Sequence, residues 1–200
     1  MAVYYYNGDK ILAPFTIVSN RPVFASDTVS LKHIRVAQEA QRWELGFNTL
    51  GKDTVANAFL ELIGEIEAPS TMVMPQFPEV DSASTATGVA TASSAHSAGS
   101  SLVSLDASFA SGFLPKGSFV KFAGHNKVYI LQSDLDFDSA STVNAEIYPN
   151  LTIDVALGSS LGYGKDCKLT YFRDIDNLQG VTFADGLLAS QGTINLIEAL

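Results

Sequence analysis

Apolar and polar residues alternate along several short stretches of this chain, the pattern of strands that bury one face. The clearest alternation predicts a strand whose buried face holds Gln41, Trp43, Leu45 and Phe47. Arg42 then falls on the opposite face, so core packing is favoured for Trp43 over stacking with Arg42 around a ligand. Two further strand-like segments, residues 13–20 and 27–37, lie on either side of Arg21-Pro22.

A single segment has the period of about 3.6 residues that marks an amphipathic helix. Its apolar stripe consists of Val55, Phe59, Leu62, Ile63 and Ile66. Asp53 stands at the N-cap position, and Pro69 ends the helix because proline lacks the required N–H donor. Three acidic residues are predicted mainly off the stripe, namely Glu61, Glu65 and Glu67.

Residues 70–80 predict an extended piece at a sheet edge, since Pro75 and Pro78 do not fit a central strand. The composition then changes: from residue 82 to residue 112 the only formally charged residue is Asp106. Small Ala, Ser, Thr and Gly residues dominate there. This composition is compatible with a flexible linker and equally with a thin, flat sheet.

The second half of the chain is patterned as short strands joined by turns. Val103, Leu105, Ala107 and Phe109 alternate with polar residues, and a turn follows at residues 114–117. Residues 124–126 join two strands as a hairpin, and Asp185-Gly186 marks another hairpin. The remaining predicted strands are residues 118–124, 127–133, 141–149, 166–174 and 192–200. The chain is therefore predicted to be mainly β with one helix.

Composition narrows the class of protein further. The 200 residues are 46% hydrophobic, and 21 acidic against 12 basic residues give a formal charge of −9. A packed core is therefore expected, and nucleic-acid binding driven by counterion release is disfavoured. No apolar run approaches the roughly 20 residues that cross a bilayer, and the N-terminus lacks the features of a secretory signal. Neither membrane insertion nor secretion by that route is expected, and the single Cys167 excludes an internal disulfide.

Three segments resemble structural proteins of tailed bacteriophages. Residues 29–47, with a Gln-Arg-Trp-Glu run, resemble the N-terminal hairpin of tail-tube-like and distal-tail (tail hub) proteins. Residues 98–131 resemble a small β-domain of phage tail and baseplate proteins, and residues 172–200 resemble the closing hairpin. The second resemblance is carried by Leu114, Gly117, Phe119, Phe122, Gly124, His125, Lys127, Val128 and Tyr129.

The resemblance implies a mainly β fold: a tail-tube-like β-sandwich or split barrel packed by one helix, with an inserted small β-barrel domain. Residues 1–81 plus 165–200 would form the first domain, and residues 82–164 the inserted one. It also implies a non-enzymatic virion protein that forms a ring, a hexamer or a trimer, in the tail hub or baseplate at the distal end of the tail tube.

The partners implied are copies of the chain itself, the tail tube and other baseplate or tail-tip proteins. DNA would pass only as cargo through an axial channel, and net negative charge fits that role because it repels phosphates. The protein would reside in the virion tail and be assembled in the host bacterial cytoplasm. Arg35, Arg42 and Arg173, expected to be exposed, are candidates for charge pairs between subunits.

Asp134, Asp136 and Asp138 have the spacing that begins a calcium loop. Ser139 stands where that loop needs Gly, and Ala145 stands where it needs Glu. The sequence therefore favours a solvent-facing strand edge followed by a turn.

No other residues have the spacing of a known metal-binding, catalytic or phosphate-binding motif. His33, His96 and His125 lack the spacing of zinc ligands, and His125 is predicted to hydrogen-bond the backbone in a turn. A nucleophile elbow is absent, and the glycine-rich residues 158–165 lack phosphate-loop spacing and read as a loop. No catalytic, cofactor-binding or metal-binding residue is predicted, and no cofactor.

Two alternatives remain open. One is a different virion role, as a tail-tube, neck or capsid-decoration subunit. The other is a carbohydrate- or cell-surface-binding β module, which needs exposed aromatic side chains, for instance among Tyr4, Tyr5 and Tyr6.

Overall fold

The computed structural model describes residues 3–27, 33–37, 40–49, 55–176, 182–184, 188–190 and 192–200. Within them the chain is mainly β, which confirms the predicted fold class. The strands are β1 (Tyr5–Tyr6), β2 (Asp9–Asn20), β3 (Val23–Asp27), β4 (His33–Ala37), β5 (Arg42–Thr49), β6 (Ser70–Val73), β7 (Thr87–Gly88), β8 (Ala90–Ala92), β9 (Leu102–Asp106), β10 (Ala110–Ser111), β11 (Phe113–Leu114), β12 (Phe119–Phe122), β13 (Tyr129–Leu131), β14 (Leu135–Asp136), β15 (Thr142–Tyr148), β16 (Ser160–Tyr163), β17 (Lys168–Arg173), β18 (Thr182–Ala184), β19 (Leu188–Ser190) and β20 (Ile194–Glu198). The helices are α1 (Val55–Glu67) and α2 (Pro78–Ala83), with a 3₁₀ turn at Gly164–Asp166.

A six-stranded antiparallel sheet has the order β1-β2-β5-β20-β17-β6. Trp43, Leu45 and Phe47 of β5 are buried, as their alternation predicts. β6 is the edge strand, which confirms the prediction for residues 70–73. The sheet curls so that β1, at one end of the order, lies close to β6 at the other end.

A closed barrel with the order β12-β13-β15-β9-β8-β16 follows along the chain. Of the two alternatives for residues 82–112, the sheet is correct, but it closes instead of lying flat. Small residues suit that closure, because Ala90, Ala92 and Ala145 are fully buried in the narrow barrel. Pairing of β12 with β13 confirms the predicted hairpin. The prediction of a loop over residues 158–165 is wrong, since β16 is one of the barrel strands.

The sheet and the barrel share an apolar core. Phe119 and Val128 of the barrel hairpin belong to the same buried cluster as Trp43, and Ile130 and Tyr148 pack against it. One outer wall of the barrel therefore covers the curled sheet. The chain enters the barrel after β6 and returns in β17, but the domain boundaries at residues 82 and 164 stay a prediction.

The helix α1 ends at Glu67, before Pro69, as predicted. Asp53 and the side chains of Val55 and Phe59 lie outside the described residues. Leu62 of the predicted stripe is buried, but Ile63 and Ile66 are more than a third exposed. The placement of Glu65 off the buried side is wrong, because that carboxylate lies beneath the helix among polar groups of the sheet.

Two other local predictions are wrong. The sequence predicts an extended conformation for residues 78–80, but they begin α2, where Pro78 occupies the first turn and its missing N–H costs nothing. The alternation predicts that Phe109 continues the buried face of β9. That strand ends at Asp106, and Phe109 is 83% exposed in the following turn.

Two pairs of strands form separate two-stranded sheets. β3 pairs with β4 over five positions, and we call these two strands the ribbon. β18 pairs antiparallel with β19, as the predicted hairpin requires. Asp185 and Gly186 themselves lie outside the described residues.

Candidate functional site

A buried ion pair joins the barrel to the sheet. Lys127, in the barrel hairpin, contacts the carboxylate of Glu198 at the end of β20. The backbone N–H groups of Val128 and Trp43 donate to the same carboxylate at 2.7 and 3.0 Å. The indole of Trp43 donates to the Val128 carbonyl at 2.7 Å, and its ring lies 5.5 Å from the Lys127 ammonium. We call these four residues the joint.

Burial opposes both charges of the joint. It raises the pKa of Glu198 and lowers the pKa of Lys127, while the attraction between the two groups works against both shifts. Three donors converge on the carboxylate, and this convergence compensates part of the cost of burying it. The joint therefore depends on all of its partners being present.

Gln76 makes a second connection between sheet and barrel. Its side-chain oxygen accepts from the Phe119 N–H at 2.8 Å, and its side-chain amide donates to the Phe119 carbonyl at 3.2 Å. The backbone N–H of Gln76 donates to the Tyr4 hydroxyl at 3.0 Å. One side chain thus pairs with β12 as another strand would.

A third polar cluster fixes α1 onto the sheet. The carboxylate of Glu65 accepts from the hydroxyl groups of Tyr6 and Tyr171 and from the side-chain amide of Asn7. Arg173 of β17 lies 3.4 Å from the same carboxylate. Burial raises the pKa of both tyrosines, and the neighbouring carboxylate adds to the shift, so the phenols remain donors.

His125 is buried and hydrogen-bonds the backbone, as the sequence predicts. Its Nε2–H donates to the Asp154 carbonyl at 3.3 Å, so Nδ1 is the acceptor for the Tyr129 hydroxyl at 3.0 Å. Burial lowers the pKa of His125, in keeping with a neutral ring. His96 also hydrogen-bonds the backbone, since its Nε2 accepts a hydrogen bond from the N–H of Ser104 at 3.1 Å. The side chain of His33 lies outside the described residues.

The three aspartates of the calcium-like spacing do not converge. Asp134 accepts from the backbone N–H of Lys116, Asp136 from that of Asp138, and Asp138 from that of Gly112. Asp136 therefore closes a local turn, whereas Asp134 and Asp138 connect their loop to a segment earlier in the chain. Across the residues that the structure describes, no group of three potential ligands surrounds a common point.

An apolar groove of about 720 Å³ lies at the gap where the curled sheet is open. One wall is β2, through Ile11, Leu12, Ala13, Phe15, Thr16 and Ile17, and the other wall is Pro75, Phe77 and Pro78. Lys10 and Asp81 are its charged lining residues. We call this opening the split groove.

The arginines proposed for contacts between subunits behave differently from one another. Arg42 is exposed, as predicted, and pairs with Glu44 of its own strand at 3.0 Å. The expectation for Arg173 is wrong, because it is 3% exposed and lies beneath α1 next to Glu65. The side chain of Arg35 lies outside the described residues.

The three N-terminal tyrosines also separate. Tyr5 is exposed, whereas Tyr6 is buried and Tyr4 is half-buried, reaching across the opening of the sheet to Gln76. Of these three candidates for a carbohydrate-binding surface, Tyr5 is therefore available to a ligand and Tyr6 is not.

Sequence reasoning missed the polar residues of the joint, although a signal was present. Ile194, Leu196 and Glu198 alternate in β20, so Glu198 falls on the buried face of that strand. Arg173 follows Leu169 and Tyr171 in the same way. A charge at an inward position of an alternating strand predicts a buried partner of opposite charge.

No protein-family model and no curated protein matches the chain. In the part of the chain that the structure describes, none of the helices has the length and apolar character to cross a membrane.

Proposed function

We propose that the protein is a structural, non-enzymatic virion component of a tailed bacteriophage, one that forms a ring in the tail hub or baseplate at the distal end of the tail tube. Its partners are other copies of itself, in a hexamer or trimer, the tail tube and other baseplate or tail-tip proteins. It resides in the virion tail and is assembled in the host bacterial cytoplasm, and DNA passes through the ring only as cargo.

The architecture supports this proposal. A curled six-stranded sheet with a helix packed on it, and a small closed barrel reached between β6 and β17, agrees with the fold that the sequence resemblance implies. The joint and Gln76 tie the barrel to the sheet through buried polar contacts. A ring subunit must keep its shape while its rims bind neighbours, and these connections supply that rigidity.

The observation that carries the proposal is the hydrogen-bonding edge left open on β2. Beyond Ile11 no described strand pairs with its outer side, although β2 continues to Asn20. Open edges attract further strands, and natural proteins cover or blunt them unless a partner does so. The open edge therefore supports assembly with other chains.

Native mass spectrometry at several protein concentrations, followed by negative-stain microscopy, tests this function. We expect annuli with three-fold or six-fold symmetry, and we expect those annuli to bind the ends of purified tail tubes. A persistent monomer at every concentration would overturn the proposal.

The same images address the alternative virion roles, since a tube or a shell contains many more copies than a terminal ring. For the carbohydrate-binding alternative, Tyr5 is the exposed member of the three tyrosines, and Phe109 is a further exposed aromatic side chain. A glycan-array signal from a monomeric protein would favour it.

A further inference from the structure

We propose that neighbouring copies join by strand addition: the ribbon of one copy lies along the outer edge of β2 in the next copy and covers the split groove. This inference rests on the proposed ring and names the contact that closes it.

The edge of β2 dictates the chemistry of its partner. Of its 12 residues, only Asp9 and Lys10 pair with β1, and the N–H of Ile11 donates to the Tyr4 carbonyl at 3.1 Å. Between Leu12 and Thr16 the pairing with β5 shifts register, and Pro14 has no N–H to donate. From Thr16 to Asn20 the strand is regular, so alternate backbone groups point to the open side and present both donors and acceptors there. Only another extended polypeptide supplies matching groups at the strand spacing of about 4.8 Å.

The split groove carries no net charge that would repel a partner. Its described lining is mostly apolar and contains one lysine and one aspartate, Lys10 and Asp81. Asp81 interacts with the Tyr4 hydroxyl, whose pKa burial raises. The groove is therefore formally neutral in a protein whose net charge is −9.

The ribbon has the complementary properties. A two-stranded sheet is at best marginally stable in water by itself, and within the described residues the ribbon pairs with no other strand. Residues 23–37 contain Asp27, Lys32 and Arg35, a formal charge of +1, so this segment does not share the strong negative charge of the chain. A groove without net charge and a segment of charge +1 can meet without the repulsion that acts between two strongly acidic copies.

Among the described strands, the ribbon does not pair with the open edge of its own β2. β3 follows β2 after only Arg21 and Pro22, yet it pairs with β4 and not with the outer edge of β2. Ribbon and groove are different surfaces, so a contact between them in two copies is head-to-tail. Repetition of such a contact produces a closed ring when the rotation between copies closes.

Two variants test the contact. In the first, a short Gly-Ser turn replaces residues 23–37 and leaves the groove intact. In the second, Ala13→Lys and Thr16→Lys place charges at exposed positions of the groove and leave the ribbon intact. A matched control, Ala95→Lys with Ser97→Lys, makes the same charge change at exposed positions between β8 and β9 of the barrel.

Each groove or ribbon variant alone is expected to be a monomer at concentrations where the wild type and the lysine control form rings. An equimolar mixture of the two variants is expected to give a 1:1 dimer and no ring, because each supplies the surface that the other lacks. Thermal melting confirms that both variants are folded. Rings formed by either variant alone, or a mixture that stays monomeric, would overturn the inference.

Hydrogen–deuterium exchange of the wild type gives an independent test if the ribbon-deleted chain does not fold. Within residues 16–20, the amides that point away from β5 should exchange at least about tenfold more slowly in the ring than in the dilute monomer, while those of β6 should not change. Equal exchange in both states would contradict strand addition. Rings without this protection overturn the contact alone, whereas a wild type that never forms a ring overturns the proposed function.

Discussion

Glu198→Ala tests the joint between barrel and sheet most directly. The substitution removes the acceptor for the backbone N–H groups of Trp43 and Val128, and it leaves the Lys127 ammonium buried without its counter-charge. The apolar packing of β20 is otherwise retained. The loss in the free energy of unfolding therefore comes from buried polar groups that no longer have a hydrogen-bond or ion-pair partner.

The expected loss follows from the burial of those groups. Removing one member of a buried ion pair costs about 3–5 kcal/mol, and a buried donor without a partner costs about 1–3 kcal/mol. Because these costs overlap, we expect a loss of about 3–5 kcal/mol in the free energy of unfolding. For a chain of this size that lowers the melting temperature by about 6–20 °C.

Urea unfolding provides the assay, since Trp43 is the single tryptophan of the chain and reports on the joint by fluorescence. Circular dichroism follows the strands in the same samples. Glu146→Ala is the matched control, because Glu146 is an exposed glutamate of β15, and it should cost less than about 0.5 kcal/mol. Glu198→Gln combined with Lys127→Met should recover much of the loss. A cost below about 1 kcal/mol for Glu198→Ala would refute the reasoning.

Three further predictions concern single residues. Burial lowers the pKa of His125, so protonation below its ordinary value of about 6.5 favours the unfolded chain; stability should fall as the pH drops from 7 to 5, and melting curves of His125→Gln should show a weaker dependence. Gly112→Ala should lower the free energy of unfolding by at least about 1 kcal/mol more than Gly99→Ala does. Both glycines have positive φ, but only at Gly112 would the new Cβ lie 2.4 Å from the Thr85 carbonyl oxygen. Equal chemical denaturation midpoints for the two variants would contradict this. Burial raises the pKa of the Cys167 thiol, so a disulfide reagent should modify it only in denaturant, and rapid reaction of the native protein would show that the thiol is accessible.

The sequence correctly predicts those strands whose buried face packs mainly against apolar side chains. Trp43 and its alternate neighbours face a continuous apolar core, so hydrophobicity alone places them correctly. Phe109 breaks the same rule because its strand ends earlier than the alternation does. The uncharged residues 82–112 are ambiguous in sequence, since small side chains suit a flexible linker and the interior of a narrow barrel equally well.

The polar clusters are less accessible to prediction. Glu65, Arg173 and Lys127 are charged, and charge alone favours exposure. Their burial depends on partners that are distant in sequence. Lys127 and Glu198, for example, are 71 positions apart. No local pattern specifies such pairs, although inward register in an alternating strand points to one member.

The chain crosses into and out of the barrel at a single point, where the Met74 N–H donates to the Cys167 carbonyl at 2.8 Å. Because the two ends of the barrel segment lie side by side, recombination could exchange the segment between them as a unit and leave the strands of the sheet intact. We call this segment the cassette. The shared core restricts that freedom, because Phe119 and Val128 fill the concave surface around Trp43. Evolutionary change in this cassette should therefore concentrate on the loops and barrel wall turned away from the sheet, while the wall that faces it varies little.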